Sequence, residues 1–360
     1  MAPNTRITIK EVAKTAGVST QTVSRVINNR PDVAPETFQR VQKIIAETGY
    51  APNALARSLI RGRSQTLGVV AYGLKYFGPS RVLTGIEQQA AEMGYSIVLN
   101  LLHQPETNDV DQLLVSLFAR QVDGIIWAIP EIGANRAWAR AGSLQFPIPI
   151  VFVGGMEGPG SLPLAGIDNR AIGRLATEHL LAGGARRIGI ITGPLSWWEA
   201  RERRLGWQEA LQAHGLAAED RLVAVGDWSA KSGEQGLYQL LVQCPDLDAV
   251  FASNDQMALG VLYVAQRLGR RMPEALSVIG VDNIPESAHF CPPLTSVRQG
   301  LREAGALVVR ELDRMIQKPA RGHRPPSPDG PPVNLLQPDL IVRESTCPPL
   351  SLHSEGKPSF

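Results

Sequence analysis

Two groups of side chains in this sequence could do recognition chemistry. The first is the row Thr20-Gln21-Thr22-Val23-Ser24-Arg25. A Gln amide bonds adenine through two hydrogen bonds and an Arg guanidinium bonds guanine in the same way, so such a row suits the major groove of DNA. The second group follows a series of apolar runs: Tyr76, Pro79 and Ser80; Pro130 and Glu131; Trp197, Trp198, Glu199 and Arg203; Asp227 and Trp228; Asn254 and Asp255; Asp282. Rings beside Asp, Asn and Arg suit a sugar, whose C–H faces lie on the rings while its hydroxyls take paired hydrogen bonds. Neither group carries a nucleophile elbow, phosphate loop, dinucleotide fingerprint or metal-ligand spacing, so no enzyme activity, metal or cofactor is expected. The opposing reading is an enzyme using Asp227, Asp255 and Asp282 as acid and base.

The elements that must hold the first group are short helices. Thr8 followed by Glu11 is a capping box, after which Ile9, Val12, Ala13 and Ala16 share one helical face. Gly17 ends that helix, because glycine takes positive φ cheaply. Ser19 caps a second helix, Thr20–Ile27, with Val23, Val26 and Ile27 inward and Thr20, Gln21, Ser24 and Arg25 outward. A third helix is predicted from Pro35 to Thr48, before Gly49. Two helices joined by a glycine turn make a helix-turn-helix; a small helical bundle without DNA is the alternative. Charge favours the former. Residues 1–64 carry ten Lys/Arg against four Asp/Glu, and the other 296 residues carry 26 against 30. A basic head on a mildly acidic body points to nucleic acid at one end only.

The elements behind the second group alternate. Strands are predicted at Leu67–Ala71, Ser96–Leu101, Gly124–Ala128, Ile150–Val153, Arg187–Thr192, Leu222–Val225, Ala249–Ala252 and Ser277–Val281. Helices are predicted at Val82–Met93, Asn169–Ala182, Ala200–His214 and Gln256–Leu268. Such alternation implies an α/β body of parallel sheets covered by helices, and its length implies two lobes. The Pro/Gly-rich 155–163 is the expected crossover, and ligands are expected beyond the carboxyl ends of the strands. Trp207, inside an amphipathic helix, reads as core, and Asp255 as a possible helix cap. A Pro-rich loop at 324–332 should lead to a last strand at Val333–Leu336 or Leu340–Val342. The three scattered cysteines argue against disulfides and zinc, and no apolar run is long enough for a signal peptide or membrane span, which together imply a cytoplasmic protein.

Ile9-Lys10-Glu11-Val12-Ala13, Ala16-Gly17-Val18-Ser19 and Thr22-Val23-Ser24-Arg25-Val26-Ile27-Asn28 resemble the signature of the LacI/GalR family of transcription regulators. The resemblance implies that Thr20, Gln21 and Arg25 read bases while Ser19, Thr22 and Ser24 support phosphate contacts. Tyr50-Ala51-Pro52-Asn53-Ala54-Leu55-Ala56-Arg57-Ser58-Leu59 looks like the family's hinge helix. There Leu59 would wedge into the minor groove, Ala56 would let two hinges meet, and Arg57, Arg61 and Arg63 could hold phosphates. Asn53 falls in the same motif. Val33-Ala34-Pro35 and Phe38 depart from the family pattern, which would touch affinity more than sequence choice.

Gly193-Pro194-Leu195-Ser196, Gly226-Asp227-Trp228-Ser229-Ala230, Asn254-Asp255-Gln256-Met257-Ala258-Leu259-Gly260 and Pro292-Pro293-Leu294-Thr295-Ser296-Val297 look like the family's periplasmic-binding-protein-like core. By that resemblance Arg203, Asn254 and Asp282 hold sugar hydroxyls and Trp228 stacks on the sugar. Tyr76, Ser80 and Gln299 also line the pocket. Glu199, Gly154 and Leu301 depart from the family's residues and leave the ligand open.

The organisation expected is a helix-turn-helix head at 1–50, a hinge at 51–64, a core at 65–345 and a flexible tail at 346–360. The first lobe would comprise about 65–163 and 294–328, and the second about 164–293 and 329–345. The implied function is a dimeric regulator on a palindromic double-stranded DNA operator, released or stabilised by a mono- or disaccharide. A purine or a partner protein as effector, and a plain solute-binding protein, are the alternatives.

Overall fold

The computed structural model describes residues 7–50, 63–105, 110–132, 135, 137–140, 147–154, 164–317 and 333–348. The chain divides into two compact units, residues 1–65 and 66–360.

The head is three helices, α1 (Ile9–Ala16), α2 (Thr20–Ile27) and α3 (Pro35–Thr48), at the predicted bounds. The capping box at Thr8 and Glu11 is formed, and Gly17 takes φ 65°. Val12, Val23, Val26 and Val41 make a small core against which Ile27, Phe38 and Tyr50 pack. Phe38 is thus partly spent on packing, which accounts for an apolar residue there.

In the core unit, six strands form a parallel sheet: β1 (Thr66–Tyr72), β2 (Ser96–Leu102), β3 (Gly124–Ala128), β4 (Ile150–Val153), β5 (Leu164–Ile167) and β11 (Val333–Leu336), in the order β11-β5-β4-β3-β1-β2. In register, Thr66 faces Ser96 and Leu67 faces Gly124. A second sheet holds β6 (Ile188–Thr192), β7 (Val223–Val225), β8 (Ala249–Ala252), β9 (Ser277–Val281), β10 (Thr295–Arg298) and β12 (Asp339–Ile341), in the order β12-β10-β9-β8-β6-β7. Only β12 runs antiparallel, with Ser296 opposite Ile341. β3, β6, β8 and β9 are buried along their whole length, as strands covered on both faces must be.

The helices of the first lobe are α4 (Phe77–Glu92), α5 (Val110–Ala119), α6 (Ala137–Arg140) and α11 (Leu301–Gln317). Those of the second are α7 (Asn169–Ala182), α8 (Trp198–Ala213), α9 (Ala230–Gln243) and α10 (Asp255–Arg267). One crossing matters for the site. At α7 on α8, a Cβ on Gly173 would come 2.1 Å from the Arg203 carbonyl, and one on Gly206 2.1 Å from the Arg170 carbonyl. Glycine at both positions brings the two backbones together and fixes where Arg203 projects. Trp207, one residue on from Gly206, is fully buried core, as its helical position predicts.

Several expectations change. The strands Leu164–Ile167 and Thr295–Arg298, and the helices α5, α9 and α11, were not expected. α4 and α8 start before Val82 and Ala200, and Arg187 and Leu222 lie outside the strands. Both candidate last strands exist, one in each sheet. The lobe boundaries move accordingly: 164–167 and 333–336 belong to the first sheet and 295–298 to the second. The physical reason is that the Pro/Gly-rich 155–163 joins β4 to β5, neighbours in one sheet, rather than two lobes. The chain passes between the lobes three times, at 167–169, 298–301 and 336–339. Thr346 is not tail: it is buried, and its hydroxyl bonds His179 Nε2 at 2.8 Å and Thr295 Oγ1 at 2.9 Å. The hinge at 51–62, the loop at 324–332 and the rest of the tail from 349 lie outside the described residues.

Candidate functional sites

On the head, Ser19 caps α2 by accepting from the Thr22 amide at 3.1 Å, and the two hydroxyls lie 3.0 Å apart. Thr20, Gln21 and Arg25 are exposed on one side of α2, Thr22 and Ser24 are half-buried, and Val23 and Val26 face inward. Arg25 Nε lies 3.6 Å from Asp32 Oδ2, with both side chains more than half exposed. Such a pair is weak and leaves the guanidinium free to re-pair. Asn53, Ala56, Arg57 and Leu59 fall outside the described residues.

In the core, a cavity of about 500 Å³ lies between the two sheets' carboxyl ends. Seven of the eight predicted ligand residues line it: Tyr76, Glu199, Arg203, Trp228, Asn254, Asp282 and Gln299. Ser80 does not; its hydroxyl donates to the Phe77 carbonyl at 2.9 Å, closing the first turn of α4.

Arg203 is the centre of the polar wall. It is 5% exposed. Its Nε donates to Asn169 Oδ1 at 2.9 Å, Nη1 to the Ser253 carbonyl at 2.5 Å and Nη2 to Gln299 Oε1 at 2.9 Å. Gln299 in turn donates to Asp282. Burial lowers the Arg203 pKa, while Asp282 and Glu199 raise it again. Burial pushes Asp282 up to about 6 against the opposing pull of Arg203 and Gln299. Asp282 also has φ 108° and Asn283 φ 49°. Behind them, Asp255 accepts from the Ile284 amide at 2.8 Å and the Ser296 hydroxyl at 2.6 Å. Its carboxyl is pushed up to about 8, chiefly by burial and then by Asp282.

Asp255 is not the helix cap that the sequence suggested. Asn254 is, accepting from the Met257 amide at 2.8 Å while donating to the Trp228 carbonyl at 2.9 Å. Asn254 keeps one amide hydrogen and one lone pair for a ligand. The bond to Trp228 holds a residue at φ 74°, outside the usual range for a large side chain. Trp228 lies flat on Gly193, where a Cβ would be 2.1 Å from Cζ2 of the ring. Its indole nitrogen and the Gln256 side-chain oxygen are buried without hydrogen-bond partners.

Trp197 closes one side. Its ring centroid is 5.7 Å from Trp228, 5.3 Å from Tyr76 and 6.5 Å from Tyr72. Trp197 forms a bridge with Ile132, and the Trp198 amide donates to the Glu131 carbonyl at 2.9 Å, so backbone bonds tie the lobes at this rim. Asn169 and Gln256 were missed as lining residues. Asn169 follows the unrecognised β5, and Gln256 sits one position beyond the strand-end residues that were noted.

The family profile for bacterial regulatory proteins, lacI family, matches residues 8–53. The profile for a periplasmic binding protein-like domain matches residues 177–346. The lactose operon repressor of Escherichia coli (strain K12) is 31% identical over 347 residues, covering 95% of this chain and 91% of that protein. The structure of the lac repressor dimer bound to operator and the anti-inducer ONPF matches with a TM-score of 0.79 at 31% identity, over 94% of this chain and 99% of that one. The complex of the transcriptional regulator CelR with cellobiose matches with a TM-score of 0.66 at 33% identity, over 94% of this chain and 100% of that one. The chain belongs to the lacI family of bacterial regulatory proteins. It is a DNA-binding transcriptional repressor, and its relatives are regulators rather than enzymes. Among the described residues, no helix is long and apolar enough to cross a membrane.

Proposed function

We propose that the chain is a cytoplasmic homodimer that grips a palindromic operator and whose grip is set by a small saccharide bound between the core lobes. The observation that carries the effector reading is the meeting of Trp197 and Trp228 with the buried set Arg203, Asn254, Asp282 and Gln299 in one cavity. Rings for the C–H faces and fixed donors and acceptors for the hydroxyls are what saccharide binding needs. The cellobiose ligand of CelR supports the same class. On the head, Thr20, Gln21 and Arg25 would read bases, and Ser19, Thr22 and Ser24 would touch phosphates. Asn53, Ala56, Arg57 and Leu59 would act through the minor groove. The lac repressor dimer on operator supports pairing of two copies. Apolar side chains left exposed on the second lobe, Tyr238, Val242, Leu259 and Tyr263, offer a face for the partner.

Ligand and DNA are then coupled through their differing affinities for two lobe arrangements. The test is operator titration of the full chain against a panel of saccharides and purines. A saccharide that changes operator affinity supports the reading, and Asp282→Ala should abolish that change while ligand-free operator binding persists. A response confined to purines would replace the saccharide; a response retained in Asp282→Ala would remove Asp282 from the site.

A further inference from the structure

The cavity wall divides by chemistry between the lobes. The second lobe supplies the polar side chains, among them Asn169, Arg203, Asn254, Gln256 and Asp282. The first lobe supplies Phe77, Pro79, Val82, Val153, Ile167 and Leu301. Its polar contributors are Lys75 and Tyr76, and the Lys75 ammonium lies 4.9 Å from the Tyr76 ring centroid. Two glycines seal this character. Gly154 and Gly166 stand back to back, with a Cβ on Gly166 falling 2.9 Å from the Gly154 Cα, and Gly154 has φ 87°. That stretch of wall therefore carries no side chain that could meet a hydroxyl.

Charge narrows the ligand further. All three nitrogens of Arg203 are bonded to protein acceptors, and Asp282 and Glu199 offset its charge. Asp227 adds a third carboxylate to the lining, held ionised by the Ser229 hydroxyl and amide. An anion entering here would meet three carboxylates and an arginine already engaged.

Resting on the saccharide reading above, we propose that the effector is an uncharged glycoside with an apolar aglycone. The sugar ring lies on the second lobe's polar wall and the aglycone, alkyl or aryl, lies against the first lobe. Its hydroxyls reach the unbonded Gln256 oxygen and Trp228 indole nitrogen. Burying an aryl group against the apolar wall favours the glycoside over its parent sugar, whereas a second sugar ring there would leave hydroxyls unpaired.

The test is calorimetric titration of the full chain with matched probes: glucose and galactose, their p-nitrophenyl β-glycosides, their 6-phosphates, and cellobiose. An aryl glycoside should bind about tenfold or more tightly than its parent sugar. The 6-phosphates should bind more weakly than either. Val153→Thr, which places a hydroxyl on the apolar wall at equal volume, should shrink the aryl advantage. Parent sugars or cellobiose binding as well as the aryl glycosides would overturn the aglycone and leave the saccharide reading standing. A 6-phosphate matching the aryl glycoside would overturn the uncharged ligand. Silence from every carbohydrate would remove the saccharide reading and this proposal with it.

Discussion

The head and the core cavity organise their recognition residues in opposite ways. On the head the bonds that set the row are local: Ser19 to Thr22, Thr8 to Glu11, Asn28 to Ser24. In the cavity the bonds of Arg203 span 34, 50 and 96 residues. A local scaffold leaves each reading residue exposed and separately replaceable. A long-range scaffold ties them, so that removing one exposes the others to unpaired burial. A repressor that must tolerate drifting operator sequences while keeping one ligand is served by that division.

The contrast is broken most directly at Arg203. Arg203→Ala leaves Asp282 buried without its cation and frees Asn169 and Gln299. It should cost about 3–5 kcal/mol of core stability, measured by urea unfolding. A cost near that of an average surface change would mean the network is not a unit. Arg25→Ala is the matching change on the head. It should cost about 1–3 kcal/mol of operator binding and relax preference at one base pair, with no loss of fold. Equal loss on every DNA sequence would reassign Arg25 to the backbone. Ser19→Ala should cost about 1 kcal/mol in the unfolding of the head, by loss of the cap of α2, and leave the core transition where it was.

The smallest expected difference is in acid. Asp282 and Asp255 sit at about 6 and about 8, against 3.8 ordinarily. The folded core therefore holds protons that the unfolded chain has released. Their contribution to stability is full below about pH 4 and is lost as pH rises through about 8. His179, lowered by burial, works the other way below 6.5, so the slope should be read against Asp255→Asn, which flattens it between pH 6 and 8. Glu11 has the opposite sign: the Thr8 bonds lower it, so its contribution fades on acidification. An Asp255→Asn slope equal to that of the unchanged protein would place the proton elsewhere.

The same contrast governs what the sequence made legible. The head followed from caps and periodicity because its helices are decided within a few residues, and Thr8, Gly17, Ser19 and Pro35 mark their own positions. The buried strands were readable as apolar runs. β5 was not: Leu-Ala-Gly-Ile is four residues long beside a Pro/Gly-rich stretch, and only its neighbours β4 and β11 make it a strand. Losing β5 hid Asn169 and misplaced the lobe boundary. At Ser80 the residue type suited a pocket, but a hydroxyl in the first turn of a helix has a carbonyl within reach. Asn254 and Asp255 exchanged roles because either type caps a helix, and the choice was made by Ile284 and Ser296, about thirty and forty residues away.

The three passes between the lobes carry a consequence of their own. Ile167, Asn169, Gln299 and Leu301 belong to two of those passes and also line the cavity. The third is tied in by the Asp168 amide, which donates to the Leu336 carbonyl at 3.1 Å. The axle about which the halves must turn is therefore the floor on which the ligand rests. A signal has no distance to travel between being received and being acted on. Tuning affinity at that floor necessarily retunes the response, so evolution of a new effector here changes the switch as well as the lock.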